Sequence, residues 1–219
     1  MTDMARDAFI DDVRRYRCRR RKPTFIISGG TGLGKTTTIN TLFGRQVGAV
    51  GHLARGTDRP QYYKWGTRGR HIVLVDMPGF GDSKDRDQTS TSSYRRWLRG
   101  ADAFIVVVTP PRPASLPTLR AVKALLKHGV RPERIVFGLN RLTLINVETD
   151  HDLVPLEIGQ DGPAKPEFRA AADRAAAEFV SSLRDATGAL FGGHQVVPYD
   201  AVTGWNVHPL LGRALRTLR

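Results

Sequence analysis

The sequence predicts an α/β fold: a mainly parallel sheet of about six strands, in three layers, with helices on both faces. Three observations predict it. Short apolar runs alternate with segments of helical period along most of the chain. Several of those runs, such as Ala103-Phe104-Ile105-Val106-Val107-Val108, show no polar alternation, which fits strands covered on both sides. One glycine cluster joins a strand-like run directly to a helix-like one.

Taken in order, residues 3–17 carry a loose apolar face (Met4, Ala8, Phe9, Val13, Tyr16) and read as a short helix. Residues 24–28 read as a buried strand, followed by the glycine cluster at 29–34 and a helix over 35–43 that Gly44 ends. Residues 45–60 have no period and read as a mobile loop. Residues 61–65 and 71–75 read as a hairpin about a Gly66–Gly69 turn. A polar stretch then leads to a helix near 93–99 and a strand at 103–108. A proline-rich loop precedes a helix at 118–128, and a strand follows at 134–139. Residues 143–165 are punctuated by Pro and Gly and read as a long connection with few strand or helix signals, which is uncommon unless functional or disordered. The Ala-rich stretch 166–187 reads as a helix, 195–199 as the last strand and 207–218 as the last helix.

With 219 residues, 40% hydrophobic and 25% charged, the chain can bury the core of one α/β domain. The longest apolar run is six residues, against about 20 for a membrane-spanning helix. No basic start precedes an apolar stretch as in a secretory leader, and the single cysteine, Cys18, excludes an intrachain disulfide. The cytoplasm is the expected compartment. The net charge is +13, mostly from arginine. It concentrates in Arg14, Arg15, Arg17, Arg19, Arg20, Arg21 and Lys22. This run suits RNA or an anionic membrane surface, and more simply a solvated tail. Residues 1–22 are therefore set apart as a basic extension, with one domain over 23–219.

Gly29-x-x-x-x-Gly34-Lys35-Thr36 has the spacing of a phosphate-binding loop. Glycines let main-chain N–H groups curl around phosphate oxygens, and the helix that follows directs its partial positive charge there. The expected cradle comprises Gly30, Thr31, Gly32, Leu33, Gly34, Lys35, Thr36 and Thr37, with Lys35 on the β- and γ-phosphates and Thr36 on Mg²⁺. The apolar run 71–75 ends in Asp76-Met77-Pro78-Gly79. An acid at the C-terminal end of a neighbouring strand is where a Mg²⁺ partner is needed, and Gly79 can offer its N–H to the γ-phosphate.

These stretches, with Ile39-Asn40-Thr41-Leu42-Phe43-Gly44 after the loop and Val75-Asp76-Met77-Pro78-Gly79-Phe80-Gly81-Asp82-Ser83, resemble the Ras-like (TRAFAC) superclass of P-loop GTPases. Within it they are most similar to the Era-like group and the related dynamin-like and immunity-related group. The resemblance implies a Mg²⁺-dependent GTPase cycling between GTP and GDP, with Lys35, Thr57 and Gly79 closing on the γ-phosphate and Thr36, Thr57 and Asp76 serving the metal. Where many members carry a water-orienting Gln, this chain has Phe80, which implies slow turnover or a dimer partner across the nucleotide. The family's base-reading Asn/Thr-Lys-x-Asp appears as Asn140-Arg141-Leu142-Thr143, and its last box as Asp200-Ala201. Asn140, Arg141 and the Ala201 N–H are the implied base contacts. Thr143 cannot supply a bidentate carboxylate, so relaxed base choice is one alternative; a nucleotide-dependent binding module and a P-loop ATPase are the others. Location follows the partner: cytoplasm, or the surface of a membrane or ribosome.

Overall fold

The computed structural model describes residues 22–47, 60–67, 70–77, 97–110, 112–148 and 152–218, together with Asp11. The predicted helix at 3–17 apart from Asp11, most of the one near 93–99 and all of the basic run but Lys22 lie outside that set; residues 97–100 are helical.

Six strands form one sheet: β1 (Thr24–Ser28), β2 (Gln61–Thr67), β3 (Arg70–Asp76), β4 (Ala103–Val108), β5 (Ile135–Leu139) and, after four short strands, β10 (Val196–Pro198). Their order is β10-β5-β4-β1-β3-β2, parallel throughout except for the β2–β3 hairpin at one edge. That is the mainly parallel sheet the sequence predicts.

Side chains alternate across each strand, so the two faces draw on neighbouring residues. Phe25, Ile27, Ile105 and Val107 pack on one face with α1 (Lys35–Phe43) and α4 (Val207–Arg216). Ile26, Phe104, Val106 and Phe137 pack on the other with α2 (Leu116–Lys127) and α3 (Pro166–Thr187). On that second face Phe137 meets Phe179 and Phe191 edge-on, at centroid distances of 5.1 and 5.3 Å. Helix α3 starts on Pro166 and stops at Gly188, whose φ of 68° continues no right-handed helix.

The connection at 143–165 is more ordered than its sequence predicts. A 3₁₀ turn at Leu142–Leu144 leads to β6 (Asn146–Glu148), paired antiparallel with β7 (Leu153–Pro155), and then β8 (Ile158–Gly159) with β9 (Gly162–Pro163). Strands of two or three residues are too short to display a period of two. What holds this segment is buried anchors: Leu142, Val147 and Leu156 enter the core beside Phe168 and Trp205. Gly162, at φ 108°, lies so close to the Trp205 indole that a Cβ there would collide with it.

Candidate functional site

The register puts the candidate residues at one end of the sheet. Ile27 pairs with Asp76, so β1 and β3 end together where the glycine loop begins. The loop then turns into α1 through Gly34, at φ 100°. Two of its glycines are sterically required. A Cβ on Gly29 would stand 2.5 Å from the Val107 carbonyl oxygen, and one on Gly34 would strike the Asn140 carboxamide.

Lys35 is 93% buried, and its ammonium folds back into the loop, donating to the carbonyls of Gly29 (3.0 Å) and Gly30 (2.9 Å). Thr36, one residue on, donates its hydroxyl to Asp76 Oδ2 at 3.0 Å. Asp76 is buried, and its negative charge adds to burial in raising the Tyr63 phenol above its ordinary range. A hydroxyl and a carboxylate from residues 40 positions apart thus converge one residue from a buried lysine. Thr31 and Gly32 are exposed at the loop's tip, and Leu33 and Thr37 are half-buried. Thr57, Gly79 and Phe80 lie outside the described residues.

The late boxes also arrive at this end. Asn140 follows β5 and is buried. Its Nδ2 donates to the Leu33 carbonyl (2.9 Å), and its Oδ1 accepts the Ala201 N–H (3.0 Å). Both ends of the carboxamide therefore tie the glycine loop to the loop after β10. Arg141 adopts a left-handed backbone (φ 57°) and is exposed, as is Thr143. Asp200 turns inward and accepts the N–H groups of Val202 (2.9 Å) and Thr203 (2.7 Å), closing a tight turn around Ala201.

A polar seam beneath the loop escapes sequence reasoning. Thr38 donates to the Gly34 carbonyl (2.8 Å), so its oxygen accepts the hydroxyl of Tyr199, also at 2.8 Å. Thr41 donates to the Ala201 carbonyl (2.5 Å). Burial pushes the Tyr199 phenol far above its ordinary range; the Thr38 bond lowers it and the Asp200 charge raises it further, so it remains a donor. The available signal was α1 itself: four threonines in nine residues make a poor intrinsic helix, and threonines facing a core need partners.

Known proteins resemble this chain in sequence and in fold. Residues 24–141 match the 50S ribosome-binding GTPase family. The chain is 32% identical over 87 residues to the uncharacterized protein YkfA of Escherichia coli K12, a match covering 40% of this chain and 30% of that one. The structure of Toc33 from Arabidopsis thaliana with Mg²⁺ and GMPPNP superposes with a TM-score of 0.69 at 13% identity, over 99% of this chain and 92% of that one. The bacterial dynamin GTPase LeoA from ETEC gives a TM-score of 0.64 at 15% identity, over 99% and 44%. At these identities the structural likeness is one of fold. The family match spans more than half of the residues, from β1 through β5 to the Asn140 box, and the chain belongs to the 50S ribosome-binding GTPase family.

Proposed function

We propose that this chain hydrolyses GTP to GDP and phosphate with Mg²⁺ and acts as a slow molecular switch, with residues 23–219 as the GTPase domain and residues 1–22 as a basic extension. The observation that carries the proposal is the Thr36–Asp76 pair, 3.0 Å apart at the mouth of a glycine loop whose lysine is already inside. The donor set fits: the Thr36 hydroxyl and the Asp76 carboxylate are hard oxygens of the kind that suit Mg²⁺. Thr36 and Asp76 would hold the metal, with Thr57 joining them. Mg²⁺, when bound, neutralises charge on the triphosphate as the β–γ bond breaks. Lys35 exchanges its two carbonyl partners for phosphate oxygens, the main-chain amides of residues 30–37 orient the chain of phosphates, and Gly79 offers an N–H to the γ-phosphate. Phe80 cannot orient the attacking water, which supports slow turnover for a single copy. A second copy facing the nucleotide would supply the missing group. For the translocon components Toc33 and Toc159, dimerization is important for GTPase activity.

A second reading, relaxed base selectivity, is favoured by the base side. Asn140, Arg141 and Ala201 would face the base, yet both ends of the Asn140 carboxamide and the Ala201 N–H already serve the protein, and Thr143 brings no carboxylate. Phosphate release from GTP and ATP, measured for the wild type, Lys35→Ala and Asp76→Asn, tests both readings. Hydrolysis lost in the two variants supports the first; equal turnover in all three removes it. Equal competition by GTP and ATP supports the second. The site of action would be the cytoplasm, or the surface of a membrane or ribosome that the run from Arg14 to Lys22 contacts.

A further inference from the structure

Helix α2 presents a one-sign surface that runs away from the nucleotide end. Its buried side is Thr118, Ala121, Val122 and Leu125. Its exposed side carries Arg120, Lys123 and Lys127, and the helix contains no acidic residue. At 3.6 residues per turn these three cations fall within an arc of about 60° and along roughly 10 Å of the axis. The neighbouring α3 differs: it carries four acids against three arginines, so the positive surface ends at the seam between the helices.

The stripe continues past the C-terminal end of α2 to the exposed Arg131. That turn is fastened to the start of β1: Arg134 Nε donates to the Asp102 carbonyl (2.8 Å), and the Asp102 carboxylate accepts the Thr24 N–H (2.9 Å). Lys22, exposed and two residues before Thr24, closes the basic run of the sequence. Lys22 and Arg131, more than 90 residues apart in sequence, therefore both lie at the end of the sheet where the strands begin, opposite the phosphate loop.

We propose that the exposed face of α2, with Arg131 and Lys22, is a docking surface for the phosphate backbone of a nucleic acid. Charge complementarity selects a polyanion. The chemistry of the face favours a nucleic acid over a bilayer: every apolar side chain of α2 except the exposed Leu116 faces the core or is partly covered, so the helix has no apolar side to insert beside its charges. The stripe's lysines and arginines suit phosphate oxygens, so the contact is strongly salt-dependent. This inference does not rest on the nucleotide-site proposal.

The test is binding of a labelled RNA duplex of about 20 base pairs to the full chain across a salt series, for the wild type and for Arg120→Ala/Lys123→Ala/Lys127→Ala. Alanine on an exposed helix face preserves the helix, which a thermal melt checks. The wild type should bind, and the variant should lose about 2–3 units from the magnitude of the log–log salt slope. A four-fold rise in salt then weakens the wild type roughly 15–65 times more than the variant. The charge-preserving Arg120→Lys/Lys123→Arg/Lys127→Arg should bind like the wild type. No duplex binding, or equal affinity and slope in wild type and triple-alanine variant, overturns the proposal. So does unchanged duplex binding together with loss of binding to phosphatidylserine–phosphatidylcholine vesicles, which would assign the face to a membrane.

Discussion

Replacing Asn140 by alanine separates a brace from a base reader. The carboxamide makes two hydrogen bonds, to the Leu33 carbonyl at 2.9 Å and from the Ala201 N–H at 3.0 Å, and the residue is 2% exposed. Truncation leaves both main-chain groups without that partner. An orphaned buried group costs about 1–3 kcal/mol. The Ala201 N–H is fully enclosed and takes a value near the upper end, whereas Leu33 is half-buried at the loop and water can serve its carbonyl. The expected loss is about 2–4 kcal/mol, which for a domain of this size lowers the melting temperature by roughly 5–12 °C. The functional signature follows from what the brace joins. If Asn140 positions the phosphate loop, the variant loses affinity for GTP and ATP by the same factor. If it reads the base, the GTP:ATP ratio changes and stability barely moves. Calorimetric melts alongside nucleotide competition measure both. An unchanged melting temperature with a collapsed GTP preference refutes the brace.

Four other outcomes are expected. Lys35→Ala should lower the rate of phosphate release by about 10²–10³, the scale of losing one charge-stabilising donor, with the fold intact by circular dichroism. Gly34→Ala should destabilise by at least about 1–3 kcal/mol, because φ 100° and the adjacent Asn140 carboxamide both oppose a Cβ; a denaturant titration reads it. Tyr199→Phe should cost about 0.5–1.5 kcal/mol through the lost donation to Thr38. Because burial raises the folded-state Tyr199 above the unfolded value of 10.0, its neutral form stabilises the fold fully below that pH, and this contribution is lost as pH rises above it. The wild type should therefore lose stability above about pH 10 more steeply than Tyr199→Phe, in melts across an alkaline series.

What the sequence displayed depended on range. Helix α3 was legible from end to end because proline, an alanine-rich period and glycine all lie within its own residues. Strand β4 was legible from six consecutive apolar side chains, and the glycine loop from a spacing set by phosphate chemistry. The Thr36–Asp76 pair was inferable because both residues end local patterns, a helix start and a strand end. The polar seam was not: Thr38 meets Tyr199 across 161 residues and Thr41 meets Ala201 across 160, contacts that exist only once β10 lies beside β5 and α1 covers that face. The same holds for Asn140, whose position in a motif suggested a base contact while its bonds to Leu33 and Ala201 depend on three separate elements converging. The strands β6 to β9 were hidden because their order comes from anchors such as Leu156 and Trp205 rather than from local periodicity.

The two sides of the candidate site hold their polar groups on different terms, and this bears on where affinity resides. On the phosphate side, Lys35 donates to two neutral carbonyls. Exchanging those for charged phosphate oxygens would turn ion–dipole bonds into ion-pair bonds, so a triphosphate would outcompete the resting partners. On the base side, the Asn140 carboxamide accepts the Ala201 N–H across two loops, and the Asp200 carboxylate accepts the Val202 and Thr203 N–H groups within its own, bonds that a purine edge could only match. A base that breaks them gains nothing, and one that leaves them intact meets Arg141 and Thr143, neither offering the paired acceptor that guanine's N1–H and amino group need. The proposed enzyme therefore holds its nucleotide chiefly by the phosphates. Removing the γ-phosphate should weaken binding far more than exchanging guanine for adenine, and titration of GTP, GDP and ATP against the wild type reads both differences. A GTP:ATP preference exceeding the GTP:GDP preference would reverse that assignment and place the discriminating contacts outside the residues described.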